Sequence, residues 1–97
     1  MKFMKIQKEE TGQRGRFYVE ENNREIALMT YLKTGADEII IDHTEVDDSL
    51  KGRGVGKDLV AKGVKYAREN DLKIIPQCVF AKAEFEKHAD YADVLAV

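Results

Sequence analysis

A basic, glycine-rich loop is the part of this sequence whose residue types and spacing indicate chemistry. The segment Leu50-Lys51-Gly52-Arg53-Gly54-Val55-Gly56-Lys57 follows an apolar stretch and leads into a helical pattern. Glycines at alternate positions let phosphate oxygens approach the backbone N–H groups closely. A helix behind such a loop points its unpaired N–H groups and its positive dipole end at the same place. The loop therefore predicts a site for a phosphorylated ligand, with added charge from Lys51, Arg53 and Lys57.

Two common phosphate-binding loops do not fit this spacing. The nucleoside-triphosphate loop, Gly-x-x-x-x-Gly-Lys-Ser/Thr, requires glycine where Lys51 stands and a hydroxyl where Asp58 stands. The dinucleotide fingerprint requires its third glycine where Lys57 stands, and an acidic residue about 20 residues later. The loop is therefore predicted to hold a diphosphate in another arrangement.

Apolar patterns on both sides of the loop predict the elements that hold it in place. Strands are predicted at 3–8, 16–20, 25–33, 38–46 and 72–75, with a polar turn at 11–15 and a helix at roughly 55–70. The apolar start of the fourth strand favours a central strand covered on both faces. Strand, helix and strand in this order are typical of a parallel pair. The predicted fold class is α+β, with a mixed sheet.

The tail after Pro76 predicts a second helix within residues 79–97, ending near Asp90. Its apolar side is predicted to carry four residues: Phe80, Ala81, Phe85 and His88. Pro76 is expected to interrupt the hydrogen bonding of the short strand before it.

Length and composition limit the classes of function. A chain of 97 residues with 43% hydrophobic content is expected to form one domain, residues 1–97. With 16 basic and 18 acidic residues, its net charge of -2 does not favour nucleic acid or membrane partners. No segment has the pattern of a signal peptide or membrane span, so a cytoplasmic location is expected. The single cysteine, Cys78, has no companions at zinc spacing, so no metal is expected.

The loop and three further segments resemble the GNAT acyltransferases, whose loop signature is Arg/Gln-x-x-Gly-x-Gly/Ala. The match runs from Lys51 to Gly56, although lysine keeps the charge of the first position without the planar fork of arginine. The other segments are His43-Thr44-Glu45-Val46, Pro76-Gln77-Cys78 and the tail 87–91. Together they resemble small, single-domain GNAT-like N-acetyltransferases, typified by the bacterial YjdJ group.

This resemblance implies a minimal GNAT fold with acetyl-CoA as cosubstrate and no metal. The pyrophosphate is expected on the amides of residues 53–57, and the pantetheine arm beside Val46, with the thioester between two parting strands. An amine is expected to attack the thioester directly, while an N–H near Val46 polarises its carbonyl. The implied cofactor-binding residues are Val46, Lys51, Gly52, Arg53, Gly54, Val55, Gly56 and Lys57.

Three residues are candidates for the catalytic chemistry that the resemblance implies. Glu45, near the end of the fourth strand, stands where related enzymes often place a base; the alternative is a solvated glutamate. His43 shares its face because side chains alternate along a strand, and it is either catalytic or a structural histidine. Cys78 is expected near the thioester, where it could form an acetyl-cysteine or be activated by His43, or simply be a small buried residue.

An acid for the departing CoA thiolate is harder to assign. Related enzymes place a phenol on the last helix, where Phe85 stands in this chain. Tyr91 is a possible substitute, although a packing aromatic at a helix end is the favoured interpretation.

These observations leave more than one function open. The first hypothesis is an N-acetyltransferase for an unidentified amine. The second is a non-catalytic module that binds or senses CoA, motivated by Phe85 and by a chain too short for the usual acceptor pocket. A module for another phosphate or for nucleic acid is disfavoured, since basic and aromatic residues are not interleaved. The chain is expected to be a monomer or a weak homodimer, depending on how its sheet edge is protected.

Overall fold

A mixed sheet of five strands forms the framework of residues 5–96, which the computed structural model describes. The elements are β1 (Gln7–Thr11), β2 (Arg14–Glu21), β3 (Arg24–Lys33), β4 (Glu38–Val46), α1 (Val55–Glu69), β5 (Lys73–Pro76) and α2 (Val79–Lys87). Two short 3-10 helices cover Asp48–Leu50 and Ala89–Val94. The strands lie in the order β1-β2-β3-β4-β5, antiparallel except for the parallel pair β4–β5. This confirms the predicted α+β class and its meander.

The core lies between the sheet and the two helices. The inward residues of α1 are spaced as an amphipathic helix requires, and they include Leu59, Val60 and Val64. They join one cluster with alternate strand residues such as Met29 and Ile41, each with no exposed surface. Fully burying such side chains stabilises the fold by about 1.5–3 kcal/mol each.

Strand β4 is covered more thickly on one face than on the other. Ile39 and Ile41 are fully buried, whereas Ile40 between them is only half-buried. The prediction of cover on both faces was therefore wrong for this strand. On this face Ile40 pairs with Leu32 of β3 and Ile75 of β5, which are apolar and half-buried as well.

The first hairpin is tighter than the sequence predicts. Thr11 pairs with Arg14 and Glu10 with Gly15, so the loop contains only Gly12 and Gln13. A two-residue hairpin loop needs positive φ, and Gly12 supplies it at +63°. The predicted strand at 3–8 is shifted to Gln7–Thr11, and its residues 3–4 lie outside the described residues.

The tail forms a shorter helix than predicted. Helix α2 ends at Lys87, and the chain then returns along β5, where the Ala96 N–H donates to the Ile74 carbonyl at 2.8 Å. Arg68 on α1 holds this return through Asp93 at 2.9 Å. Ala81 and Phe85 are buried as predicted, but Phe80 is 40% exposed. Neither α1 nor α2 has the length and apolar character needed to cross a membrane.

Candidate functional site

The parallel strands β4 and β5 part at one end of the sheet. Their pairing stops at Ile41 and Pro76, the last pair of the parallel ladder. The next two amides, of Gln77 and Cys78, both donate to the Ile41 carbonyl, at 2.9 and 3.1 Å. The chain then turns into α2 while β4 continues to Val46, so an open groove begins between them.

A β-bulge in β4 decides which side chains face this groove. Thr30 pairs with His43 and Tyr31 with Ile41, so Asp42 is an extra residue in β4. Before the bulge the odd-numbered Ile41 points into the core. After it, the even-numbered Thr44 and Val46 point inward instead.

The backbone N–H of Val46 points to the groove side of β4. The next amide along the chain, that of Asp47, donates to the Ile26 carbonyl in β3 at 2.8 Å. Hydrogen-bonded and non-hydrogen-bonded pairs alternate along an antiparallel ladder, so Val46 directs its N–H to the opposite edge. The groove therefore has a backbone donor at the point where the resemblance implies one.

The glycine loop is folded by its own hydrogen bonds. Asp47 caps the 3-10 helix by accepting from the Ser49 N–H at 3.1 Å. The Lys51 N–H donates to the Asp48 carbonyl at 3.0 Å, and the Arg53 N–H to the Leu50 carbonyl at 3.1 Å. Since the Arg53 amide is already engaged, the predicted amide cradle of residues 53–57 narrows to residues 54–57.

Two glycines give the loop its shape. Gly52 and Gly54 have φ of +79° and +73°, a left-handed conformation that L side chains rarely adopt. Gly54 also caps α1 without a side chain, so no hydroxyl or carboxylate competes for the first N–H groups of the helix. Within residues 5–96, the amides of Val55, Gly56 and Lys57 have no hydrogen-bond partner, as the first turn of a helix leaves them.

Three cations surround this helix start. Lys51, Arg53 and Lys57 are exposed, and within the described part of the chain none of them forms an ion pair. Cations that are not neutralised by neighbouring carboxylates, together with the helix dipole, favour an anion at this point. The predicted diphosphate site at this loop stays a prediction, which the free amides and cations favour.

A cavity of about 310 Å³ joins the loop to the groove. Its size lies in the range of small-molecule sites. Phe80, which the sequence places among the core residues of the tail, instead forms one wall and packs on Gly56. The remaining lining residues are Val46, Asp47, Asp48, Leu50, Lys51, Gly52, Gly54, Val55, Gly56, Lys57 and Glu84.

Cys78 lies where β5 ends, half-buried at the start of α2. Its sulfur caps the helix by accepting from the Ala81 N–H at 3.4 Å. The hydroxyl of Thr44 on β4 stands 3.3 Å from the same sulfur, across the point where the strands part. The thiol is therefore held by Thr44, and within residues 5–96 the predicted pairing of Cys78 with His43 is not found.

His43 and Glu45 lie together on the outer face of β4. The His43 Nε2 stands 3.5 Å from the Glu45 Oε2, which confirms that they share a face. Their side chains are 56% and 69% exposed, and neither lines the cavity. The bulge explains this placement, since it turns residues 43 and 45 away from the helices.

A buried carboxylate that the sequence reasoning missed lies in the cavity wall. Glu84 on α2 is 4% exposed, and its Oε1 has no hydrogen-bond partner in the described part of the chain. Two side chains approach it: His88, with Nε2 3.4 Å from Oε1, and Lys87, with Nζ 3.5 Å from Oε2. Its signal in the sequence is a charged residue on the apolar stripe of Ala81, Phe85 and His88.

Phe85 and Tyr91 pack beside this carboxylate. Their rings meet edge to face, with centroids 5.4 Å apart, and Tyr91 stacks on His88 at 4.7 Å. Burial raises the pKa of the Tyr91 phenol, and the carboxylates of Asp90 and Glu84 raise it further. Tyr91 does not line the cavity, which supports its interpretation as a packing aromatic.

Known proteins share this architecture. A family model described as "GCN5-related N-acetyl-transferase" matches residues 16–94. A GCN5-like protein from Staphylococcus aureus, solved by NMR, is 42% identical with a TM-score of 0.75, covering 99% of this chain and 91% of its own. Mouse protein NATD1 is 34% identical over 74 residues, covering 75% of this chain and 67% of its own. A Bacillus anthracis protein in complex with acetyl coenzyme A has 21% identity and a TM-score of 0.57, covering 79% of this chain and 46% of its own.

The meander, the parted parallel strands and the glycine-rich helix start define the class as that of the GNAT acetyltransferases. The chain belongs to the GCN5-related N-acetyltransferase family, as a small member of it. Within residues 5–96, no cluster of three or more candidate side chains could hold a metal ion.

Proposed function

We propose that this chain is an acetyl-CoA-dependent N-acetyltransferase in which an amine attacks the thioester directly. The observation that carries the proposal is one continuous cavity. It runs from the N–H groups at the start of α1 to Val46, near the point where β4 and β5 part. A diphosphate and an acyl group need these two features together. When bound, acetyl-CoA supplies the activated acetyl group.

Different residues along the cavity bind different parts of acetyl-CoA. The amides of residues 54–57 and the charges of Lys51, Arg53 and Lys57 bind the pyrophosphate. Gly52 and Gly54 allow the close approach of backbone to phosphate, because neither carries a side chain that would fill the loop. The Val46 N–H polarises the acetyl carbonyl, and a donor of this kind is worth about 3 kcal/mol in the transition state.

We also propose catalytic roles for Cys78, His43 and Glu45, which differ in their position relative to the cavity. Cys78 lies where β4 and β5 part, although it does not line the cavity, and a transient acetyl-cysteine is the alternative route to direct attack. His43 and Glu45 lie outside the cavity and could act only on a substrate that reaches the outer face of β4. We further propose one domain over residues 1–97, a monomer or weak homodimer, and a cytoplasmic location.

A non-catalytic CoA-binding module is the second candidate function. It is favoured by the cavity lining, which contains no tyrosine in the part of the chain that the structure describes, and by Phe85 where a phenol is expected. Such a module binds acetyl-CoA and releases no thiol in the presence of any amine.

One experiment separates these functions. The purified protein is titrated with acetyl-CoA while amide NMR shifts are followed, and thiol release is then measured with a panel of amines. We expect saturable shifts at Val46 and residues 52–57, and thiol release that depends on the amine. Lys51→Gln and Arg53→Gln should weaken acetyl-CoA binding, whereas Lys62→Gln, an exposed lysine elsewhere on α1, should not. An absence of shifts at millimolar ligand would overturn the proposal, and binding without thiol release would favour the non-catalytic module.

A further inference from the structure

The cavity beside the glycine loop has an apolar part as well as a cationic one. Four of its lining residues are apolar: Val46, Leu50, Val55 and Phe80. Leu50 and Val55 are almost fully buried, whereas Phe80 keeps 40% of its surface exposed. A phosphate group gains nothing from apolar walls, because such walls favour ligand atoms that leave water easily. The ligand of this cavity is therefore expected to carry apolar atoms next to its phosphates.

Phe80 is the aromatic member of this apolar wall. Within residues 5–96, the large apolar side chains that stay exposed are Val79 and Phe80, in the first turn of α2. Val79 is 85% exposed and does not line the cavity, whereas Phe80 does. An aromatic ring with exposed surface in a cavity wall can bury that surface against a bound molecule.

Phe80 spans the two ends of the cavity. Its backbone follows Cys78 by two residues, and the Cys78 sulfur lies 3.3 Å from the Thr44 hydroxyl, where β4 and β5 part. Its ring reaches the other end, since a β-carbon added to Gly56 would stand 2.8 Å from the ring Cζ. A ligand that extends from the helix N–H groups to Val46 therefore passes this ring.

We propose that Phe80 selects CoA over other diphosphates by packing against the gem-dimethyl group of its pantoate unit. In CoA, one oxygen and one methylene group join this branched carbon to the diphosphate. The two methyl groups therefore lie beside a residue that contacts the start of α1. A nucleoside diphosphate such as ADP has no apolar group at this point. The inference rests on the acetyl-CoA binding of the proposed function and deepens it, because it names a residue that determines specificity.

The size of the effect follows from the area that the ring covers. Burying two methyl groups against an apolar surface improves affinity by about 10-fold. Ligands without the pantoate unit gain nothing from the ring, so the preference for CoA over ADP should depend on residue 80. Leucine at this position would keep part of the apolar surface.

The test measures acetyl-CoA and ADP affinities by amide NMR titration. Phe80→Ala should lower acetyl-CoA affinity by about 10-fold and change ADP affinity by less than about twofold, with Phe80→Leu between it and the wild type. Val79→Ala is the matched control, since it truncates the exposed neighbour outside the cavity, and it should bind both ligands as the wild type does.

A spectroscopic signature accompanies these affinities. In the wild-type complex, the ring current of Phe80 should shift the two pantoate methyl signals, and these methyl protons should show nuclear Overhauser effects to the ring protons. In the Phe80→Ala complex the methyl signals should return to their positions in free acetyl-CoA.

The contrary outcomes separate this inference from the proposed function. An equal loss of acetyl-CoA and ADP affinity in Phe80→Ala would overturn the inference, because the ring would then act only by packing on Gly56. Unshifted methyl signals in the wild-type complex would overturn it as well. A wild type that shows the expected selectivity but releases no thiol would overturn the acetyltransferase function and leave the inference standing. A wild type that binds no acetyl-CoA would overturn both.

Discussion

The ring of Phe80 lies so close to Gly56 that a β-carbon at residue 56 would stand 2.8 Å from the ring Cζ. This contact joins the first turn of α2 to the first turn of α1, and both lie in the wall of the cavity. A residue without a side chain is thus needed at the helix start for reasons of packing as well as ligand access.

Gly56→Ala should destabilise the protein by about 1–3 kcal/mol, because the added methyl group displaces the Phe80 ring. In a Phe80→Ala background the same change should stabilise it, by up to about 1 kcal/mol, since alanine is the better helix former. Chemical denaturation of the four proteins in this double-mutant cycle measures the coupling. Additive effects would show that the ring moves aside without cost.

Gly54→Ala should weaken both stability and acetyl-CoA binding. A non-glycine residue at φ of +73° costs about 1–2 kcal/mol, and relieving that strain would move the amides of the cradle. Gly54→Asn is the matched variant, because asparagine tolerates this conformation better. Melting temperature and acetyl-CoA affinity should both rank glycine above asparagine and asparagine above alanine; equal values for the two variants would contradict the strain argument.

Gly15→Ala should be among the most destabilising single changes in the chain, costing about 3 kcal/mol or more. A β-carbon there would stand 2.2 Å from Cζ of Tyr31, a side chain with no exposed surface and no room to move. Gly63→Ala provides the contrast, because its neighbour at 3.0 Å is the flexible end of Met29. Urea unfolding should show a large loss for the first variant and little change for the second.

Glu10 should make stability fall on acidification. The hydrogen bond from the Tyr31 hydroxyl, at 2.7 Å, lowers the pKa of the Glu10 carboxyl below its ordinary value of 4.5, and Lys8, Tyr66 and Lys33 help. A lowered folded-state pKa contributes stability that is complete above the unfolded pKa and is lost as pH falls through the folded one. The free energy of unfolding, followed from neutral pH to about pH 3, should therefore fall less steeply in Glu10→Gln. An identical slope in both proteins would exclude this contribution.

Substitutions of Cys78 should separate its role as a helix cap from a role as a nucleophile. Cys78→Ser keeps an acceptor for the Ala81 N–H, whereas Cys78→Ala loses it and should cost up to about 1 kcal/mol. If the amine attacks directly, both variants retain turnover. If an acetyl-cysteine forms, both lose it, and mass spectrometry of the wild type mixed with acetyl-CoA alone should detect the added acetyl group.

The sequence predicted the loop well because its information is local. Alternating glycines, three cations and the helical pattern from Val55 all lie within a few residues of one another, and the helix begins where that pattern begins. The class and strand order followed from periodicity and from the family resemblance. The bounds of the first hairpin could not be predicted in this way, because the strand conformation of Gly15 depends on its pairing with Tyr31 in the neighbouring strand.

The side of the sheet on which a residue lies was harder to predict. His43 and Glu45 share a face, as their spacing requires, but which face depends on the bulge at Asp42. That bulge arises from pairing with β3 and has no local signal strong enough to predict it. Glu84 was missed because its burial depends on how α2 packs against the rest of the fold, although the sequence shows its place on the apolar stripe of the helix.

The bulge at Asp42 divides strand β4 into two segments. The inward-facing residues are odd-numbered before Asp42 and even-numbered after it. Two positions an even number of residues apart therefore face opposite sides of the sheet when Asp42 lies between them. A relative whose fourth strand lacks this bulge would need a one-residue gap at Asp42 before its groove-facing side chains match those of this chain. A relative that shares the bulge would need none.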